Sequence, residues 1–125
     1  MRAPEPLPAL RVIAAPEALD DLTLADEHPA LRLAPDDMLV IGAASAEVVG
    51  ELLIVDEAGF VGWWLTPDEV TTQLLPHVDW PLPSARPALA QGLIAGVPAK
   101  LWLAEDRALL LCPAAYAHEL MERLP

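Results

Sequence analysis

Cysteine, lysine and serine are all scarce in this chain of 125 residues. There is one cysteine, Cys112, and one lysine, Lys100, and there are two serines, Ser45 and Ser84. A single cysteine excludes an intramolecular disulfide and is consistent with a reducing compartment. Its neighbours Leu109–Leu111 are apolar, so we expect Cys112 to be a buried small hydrophobic side chain rather than a nucleophile. Neither serine lies in a nucleophile motif with a histidine nearby, which disfavours serine hydrolase chemistry.

Long apolar runs and phosphate-binding motifs are also missing. No uninterrupted apolar run reaches the length of about 18 residues that a membrane-spanning helix requires, and Met1–Pro6 lacks the apolar segment of a signal peptide. Gly59-Phe60-Val61-Gly62 is not followed by Lys-Ser/Thr, so it is not a phosphate-binding loop. His118 begins a segment that resembles a zincin helix but lacks the second histidine. We therefore expect a cytoplasmic protein without a membrane, nucleotide or metal site.

Basic residues are few relative to acidic ones. The chain carries 19 aspartates and glutamates against 7 lysines and arginines, which gives a net charge of −12. Such a surface repels phosphate backbones and anionic membranes, so nucleic acid is not an expected partner. Apolar residues make up 54% of the chain, above the usual share of about 45 to 50%. This excess suggests that part of the apolar surface contacts another polypeptide.

The pattern that is present is strongest between Ala90 and Leu124. Three apolar runs are separated by turn-forming residues, and they cover residues 89–95, 99–104 and 108–112. After Pro113, the residues Tyr116, Leu120 and Leu124 recur at the spacing of one helix face. This order predicts three strands followed by an amphipathic helix.

An earlier stretch repeats the order of hairpin, proline and helix. An offset of 46 residues takes Leu65 to Leu111, Pro67 to Pro113, Val70 to Tyr116 and Leu74 to Leu120. Two ββα units that each expose one apolar face would merge into one antiparallel sheet with both helices on one face. The sequence therefore predicts an α+β fold, ferredoxin-like in its repeat, in which residues 51–55 and 60–65 form the first hairpin.

The helix of the earlier unit has the clearest local signature. Thr66 and Glu69 have the spacing of a capping box, and Pro67 suits the first helical turn. A helix is predicted over Pro67–His77. It should end before Trp80-Pro81, because the residue that precedes a proline is disfavoured in the α conformation.

The N-terminal third has a weaker pattern. Residues 1–30 are predicted to form an N-terminal tail and edge segment, with a short strand in residues 11–15 and one helical turn within residues 16–24. Leu31–Leu33 and Met38–Ile41 flank turn-forming residues and predict a hairpin. Residues 31–125 are accordingly assigned to a single α+β domain.

The four tryptophans are the main candidates for a functional surface. Trp63 and Trp64 are adjacent on a predicted strand, so their side chains point to opposite faces and only one can face the helices. The other is either covered by the N-terminal segment or anchors an interface. We predict a partner interface that includes one of this pair together with Trp102 or Trp80. No catalytic, cofactor-binding or metal-binding residue is assigned.

Five segments between Leu31 and Leu124 resemble motifs of one known family, in the same order. Leu31–Val40 resembles "LGPDEWLLL", Val55-Asp56 resembles "VDVS", Asp79–Leu82 resembles "PLDL", Ala90–Trp102 resembles "AQT-LAG-VPVLLW" and Pro113–Leu120 resembles "PRSFAHYL". These are motifs of the sarcosine oxidase gamma subunit family. The resemblance implies a fold related to the folate-binding domain of aminomethyltransferases.

The resemblance also implies a function. The chain would be a non-catalytic, gamma-like accessory subunit of a multi-subunit sarcosine or related amine oxidase. It would hold no cofactor itself, and a flavin or folate would belong to the partner complex. The expected partners are the other subunits of such a complex or a second copy of the chain. Two alternatives remain open: a folate- or pterin-binding domain, for which Arg86, Lys100 and Arg107 are the available bases, and an unrelated acidic homodimer.

Overall fold

The computed structural model describes residues 1–22, 27–43, 46 and 50–125. The chain divides into two units: the first unit is Met1–Pro6 with Phe60–Pro125, and the second unit is Leu7–Gly59. This division differs from the predicted tail of residues 1–30 followed by one domain of residues 31–125. The reason is that residues 7–30 contribute a strand and a helix to the second unit.

Nine strands and three short α-helices are present in the described ranges. The strands are β1 (Glu5–Pro6), β2 (Ala9–Ala14), β3 (Ala30–Ala34), β4 (Asp37–Ile41), β5 (Glu51–Glu57), β6 (Phe60–Leu65), β7 (Ala88–Ile94), β8 (Val97–Leu103) and β9 (Ala108–Pro113). The helices are α1 (Pro16–Asp20), α2 (Pro67–Glu69) and α3 (Ala117–Arg123). The α+β class is therefore confirmed. Among the described residues, no helix has the length and apolar character needed to cross a membrane.

The first unit is built on a five-stranded antiparallel sheet in the order β1-β6-β9-β8-β7. Strands β7, β8 and β9 confirm the three predicted strands. Their alternate residues, with those of β6, face one core that contains Trp63, Leu101 and Leu110. Both helical segments of this unit pack on the same face, because Leu74 and Leu120 belong to that core. The prediction of two helices on one face is confirmed for this sheet.

The second unit is built on a four-stranded antiparallel sheet in the order β3-β4-β2-β5. The predicted hairpin appears as β3 and β4. Strand β2 pairs on both sides, with β4 and with β5, so it is interior to the sheet and not part of an edge segment. One face of this sheet packs Val12, Met38 and Val40 against Leu19 of α1. Helix α1 lies within the predicted helical turn, of which residues 23 and 24 fall outside the described residues.

The predicted hairpin of residues 51–55 and 60–65 is wrong. In the described part of the chain, β5 pairs with β2, whereas β6 pairs with β1 on one side and β9 on the other. Since both edges of β6 are occupied, β5 has no edge of β6 to join, and the chain leaves the four-stranded sheet at Ala58-Gly59. The strands therefore form two sheets rather than one, and the ββα repeat does not extend to its first hairpin.

The helix predicted over Pro67–His77 has those bounds but is not α-helical throughout. Helix α2 begins with the predicted capping box: the Glu69 amide donates to Thr66 Oγ1 at 3.1 Å and the Thr66 amide donates to Glu69 Oε1 at 3.0 Å. It continues as a π-helical turn, Val70–Leu74, and a 3-10 turn, Leu75–His77. Pro76 explains the change, because it has no N–H to donate and its ring would clash with the carbonyl four residues earlier in an α-helix.

The last helix corrects one predicted core residue. Leu120 and Leu124 are buried as expected, but Tyr116 is 39% exposed. Tyr116 ends a 3-10 turn, Ala114–Tyr116, that precedes α3. A 3-10 turn has 3.0 residues per turn instead of 3.6, so Tyr116 is rotated away from the helix face that Leu120 and Leu124 share.

Candidate functional site

Trp63 is a core residue of the first unit. Strand β6 directs its side chain to the face of the sheet that carries the helices, and only 1% of Trp63 is exposed. Its indole Nε1 donates to the carbonyl of Arg2 at 2.7 Å, so the polar atom of the buried ring is satisfied. Trp63 is thus the member of the adjacent pair that faces the helices, as the alternation of strand side chains requires.

Trp64 lies on the opposite face of β6, next to Trp102 of β8. The two indole rings meet edge to face, with centroids 6.2 Å apart and planes at 89°. The Arg107 guanidinium lies over both rings, its Cζ 4.4 Å from the Trp64 centroid and 5.6 Å from the Trp102 centroid. A cation over two aromatic faces is attracted by both ring quadrupoles. The structure therefore brings together Trp64, Trp102 and Arg107 within the first unit.

Trp80 lies in the loop that precedes β7, and its side chain covers part of this edge strand. Its Nε1 donates to the carbonyl of Leu93 at 3.0 Å. Its ring lies over Gly92, where an added Cβ would be 2.9 Å from the Trp80 ring. A side chain that occupies the outer carbonyl of an edge strand blocks the pairing of another strand at that point. Trp80 therefore shields the outer edge of β7 at Gly92 and Leu93.

An exposed apolar patch lies on β5, where the sequence did not indicate it. Leu53 is 50% exposed and Val55 is 38% exposed, and both point to the same face of β5 because they are two residues apart. We call Leu53 and Val55 the β5 patch. Strand β5 is at one end of its sheet, so the patch lies beside a strand edge that no other described strand pairs with. This edge could not be expected from the sequence, because β5 was predicted to pair with β6.

A charged pair lies beside the β5 patch. Arg11 is the register partner of Val55 on β2, and its guanidinium binds the carboxylate of Asp37 with distances of 3.1 and 2.6 Å. The hydrogen bonds that Arg11 donates to the Asp37 carboxylate are the main reason that the pKa of Arg11 is raised above its usual value. Arg11 is therefore ion-paired with Asp37. Asp56 and Glu57, which follow Val55 on β5, form an acidic border of the β5 patch.

A cleft of about 550 Å³ is the second candidate site, and it belongs to the first unit. Its apolar walls include Val70, Leu82 and Leu103, and its polar lining includes Arg86, Arg107 and Glu105. We call it the arginine cleft. Of the three bases named from the sequence, the structure brings Arg86 and Arg107 to this cleft, whereas the Lys100 Nζ binds Gln91 Oε1 at 2.9 Å on the neighbouring strands.

The remaining groups with possible chemistry are potential metal ligands and the single thiol, Cys112. Within the described ranges, no group of three or more His, Cys, Asp or Glu is placed to hold a metal ion. Cys112 is buried in the core of the first unit, and this burial raises the pKa of its thiol from 9.0 to about 11. A buried thiol with a raised pKa is a poor nucleophile at neutral pH, which confirms the expectation that Cys112 is a core side chain.

No family model, curated protein or solved structure matches this chain. Membership of the sarcosine oxidase gamma subunit family therefore rests on the five resembling segments and stays a prediction. The β5 patch and the arginine cleft are interpreted from their own geometry and chemistry.

Proposed function

We propose that this chain is a non-catalytic accessory subunit that acts through contact with another polypeptide. The observation that carries the proposal is the β5 patch, in which Leu53 and Val55 expose apolar side chains on an edge strand. The gamma-like resemblance implies the same kind of role, in a complex whose flavin or folate would belong to other subunits.

The geometry of β5 suits the addition of a strand from a partner. Strand β2 pairs with one side of β5. Among the described residues, no strand pairs with the opposite side of β5, because β5 is the last strand of its sheet. An extended segment can pair with such an edge through main-chain hydrogen bonds, while its side chains contact alternate residues. Leu53 and Val55 supply the apolar contacts that this mode requires. An exposed apolar edge is otherwise an aggregation hazard.

Charge favours a different chain over a second copy as the occupant. Asp56 and Glu57 border the β5 patch, and the chain has a net charge of −12, so a second copy would bring further negative charge to this edge. Like charges brought together in this way oppose association. A partner strand with apolar residues flanked by lysine or arginine would instead be complementary. We therefore assign the β5 patch to a basic segment of another subunit.

The test compares the wild-type chain with a variant that lacks the β5 patch. Leu53→Thr with Val55→Thr removes the apolar side chains but keeps high strand propensity. Leu93→Thr is the matched control, because Leu93 is 55% exposed on β7, the edge strand of the other sheet. Chains captured by the wild type from the native host are identified and purified, and their affinities are measured at low and high salt.

The expected result is a partner with a basic segment, whose affinity falls with salt and falls roughly thirtyfold in the double variant but not in Leu93→Thr. Thermal unfolding checks that both variants are folded. Equal affinity of the double variant and the wild type contradicts the proposal. The alternatives predict other outcomes: a homodimer in size-exclusion chromatography for the acidic homodimer, and saturable folate or pterin binding by the isolated chain for the folate- or pterin-binding domain.

The predicted tryptophan interface is separate from the β5 patch and stays a prediction. Trp63 and Trp102 are buried, whereas Trp64 and Trp80 are partly exposed. Substitution of Trp64 or Trp80 by alanine in the same capture experiment tests whether either anchors a partner.

A further inference from the structure

The arginine cleft lies at one end of the five-stranded sheet. It is bounded by the start of the α2 segment, by the loop that contains Leu82 and Arg86, and by the turn between β8 and β9 that carries Glu105 and Arg107. Its volume of about 550 Å³ lies within the range of about 300 to 1,000 Å³ that is usual for small-molecule sites. The cleft is thus large enough for a small organic ligand.

Among the described residues, Arg86 and Arg107 are the arginines that form no ion pair with a carboxylate. Arg2, Arg11, Arg32 and Arg123 each lie within 4.0 Å of an aspartate or glutamate oxygen. In the part of the chain that the structure describes, neither Arg86 nor Arg107 forms such an ion pair. In a chain with 19 acids and 7 bases, a cleft lined by two arginines and one carboxylate, Glu105, keeps a net positive charge.

The contacts of both arginines leave hydrogen-bond donors for a ligand. Arg86 Nη1 donates to the carbonyls of Pro83 and Ala85 at 2.6 and 2.8 Å, which holds the side chain in the loop. Arg107 is positioned by its cation–π contacts with Trp64 and Trp102, and in the described part of the chain its guanidinium donates no hydrogen bond to the protein. A guanidinium has five N–H donors, and planar forks of this kind bind carboxylates and phosphates with two hydrogen bonds.

We propose that the arginine cleft binds a small organic monocarboxylate with an apolar body. Two arginines and Glu105 give the lining a formal charge of +1, which matches a single negative charge better than a dianion. Val70, Leu82 and Leu103 provide apolar walls for the rest of the ligand. This inference goes beyond the proposed accessory role, and it uses residues of the first unit only, so it can fail or succeed independently of the β5 patch.

The test titrates the isotope-labelled full chain with hexanoate and follows its backbone and arginine Nε resonances. Hexanamide is the uncharged probe of the same chain length, and hexyl phosphate is the more highly charged probe. Hexanoate should give saturable shifts at Ser84, Arg86 and Arg107, while hexanamide gives none at the same concentration. No saturable shift with hexanoate at about 20 mM, equal binding of hexanamide, or tighter binding of hexyl phosphate overturns the proposal.

Three variants make the test specific to the cleft. Arg86→Gln should weaken hexanoate binding about tenfold, as the loss of a charge-assisted hydrogen bond does. Arg107→Lys keeps the charge but removes the planar fork, and it should weaken binding as well. Lys100→Gln removes the same charge outside the cleft and should leave the affinity within about twofold. Equal losses in Arg86→Gln and Lys100→Gln would show only a general effect of charge and would contradict the site.

Discussion

Gly92 is required by the indole ring of Trp80. An alanine Cβ at position 92 would lie 2.9 Å from the ring, whose Nε1 is held by the Leu93 carbonyl. We expect Gly92→Ala to lower the free energy of unfolding by about 1 to 3 kcal/mol, as overpacking does. Urea denaturation measures this change. In a Trp80→Ala background the same substitution should cost much less, and an undiminished cost would mean that the strain arises elsewhere.

Cys112 provides a prediction about pH. Burial raises the pKa of its thiol from 9.0 to about 11, so in the folded state the thiol stays protonated over a range in which the unfolded chain ionises. The stability that the buried neutral thiol contributes is present below the unfolded pKa and is lost as the pH rises through the folded pKa. The difference in free energy of unfolding between the wild type and Cys112→Ala should therefore shrink between pH 9 and about pH 11.

A reactivity measurement checks the same residue at neutral pH. Cys112 should react with a disulfide reagent only slowly in the native chain and fast in denaturant, because it is fully buried. Rapid modification of the native chain would contradict the structure at this position.

Both helical segments of the first unit pack on its sheet through leucine side chains. Leu74 and Leu120 are fully buried in one core beneath the two helical segments. Each substitution by alanine should cost about 2 to 5 kcal/mol. His118→Ala is the control in α3, because its side chain is 83% exposed and contacts only Glu122, at 2.9 Å, among the interactions described. Its cost should be below about 0.5 kcal/mol in urea denaturation, and a larger cost would place His118 in the core.

The elements that could be predicted are those that depend on residues close in sequence. The capping box needs only Thr66 and Glu69, three residues apart, and it forms as expected. The turn between the runs 89–95 and 99–104 is predicted at residues 96–98, but Val97 and Pro98 belong to β8: Ile94 pairs with Val97, and Ala95-Gly96 make the turn with φ of 51° and 78°. Positive φ at both residues suits the twist of a two-residue hairpin.

The pairing of distant strands could not be predicted in this way. Strand β5 pairs with β2, about forty positions earlier in the chain, and side-chain alternation alone does not specify which strand becomes the neighbour. The exposed edge of β5, and with it the β5 patch, follows from that choice. The arginine cleft depends likewise on a loop that returns Arg86 to the turn of Arg107, although both arginines could be named from the sequence.

The excess negative charge of the chain decides how salt affects its stability. The net charge of −12 makes the folded chain repel itself, and salt screens this repulsion over a Debye length that falls from about 30 Å at 0.01 M to about 10 Å at 0.1 M. Salt also weakens the ion pairs of Arg2, Arg11, Arg32 and Arg123, but each partly exposed pair contributes only about 0.2 to 1 kcal/mol. Repulsion should therefore dominate at pH 7.

We expect sodium chloride, raised from about 0.01 M to about 0.1 M, to increase the midpoint of thermal unfolding at pH 7. The control is the same titration near the isoelectric point of about 4.3, where the net charge is close to zero and only the screening of ion pairs remains. There the midpoint should stay constant or fall. An increase of the same size at both pH values would show that salt acts through apolar burial and not through charge, while a decrease at pH 7 would mean that the ion pairs outweigh the repulsion of the remaining carboxylates.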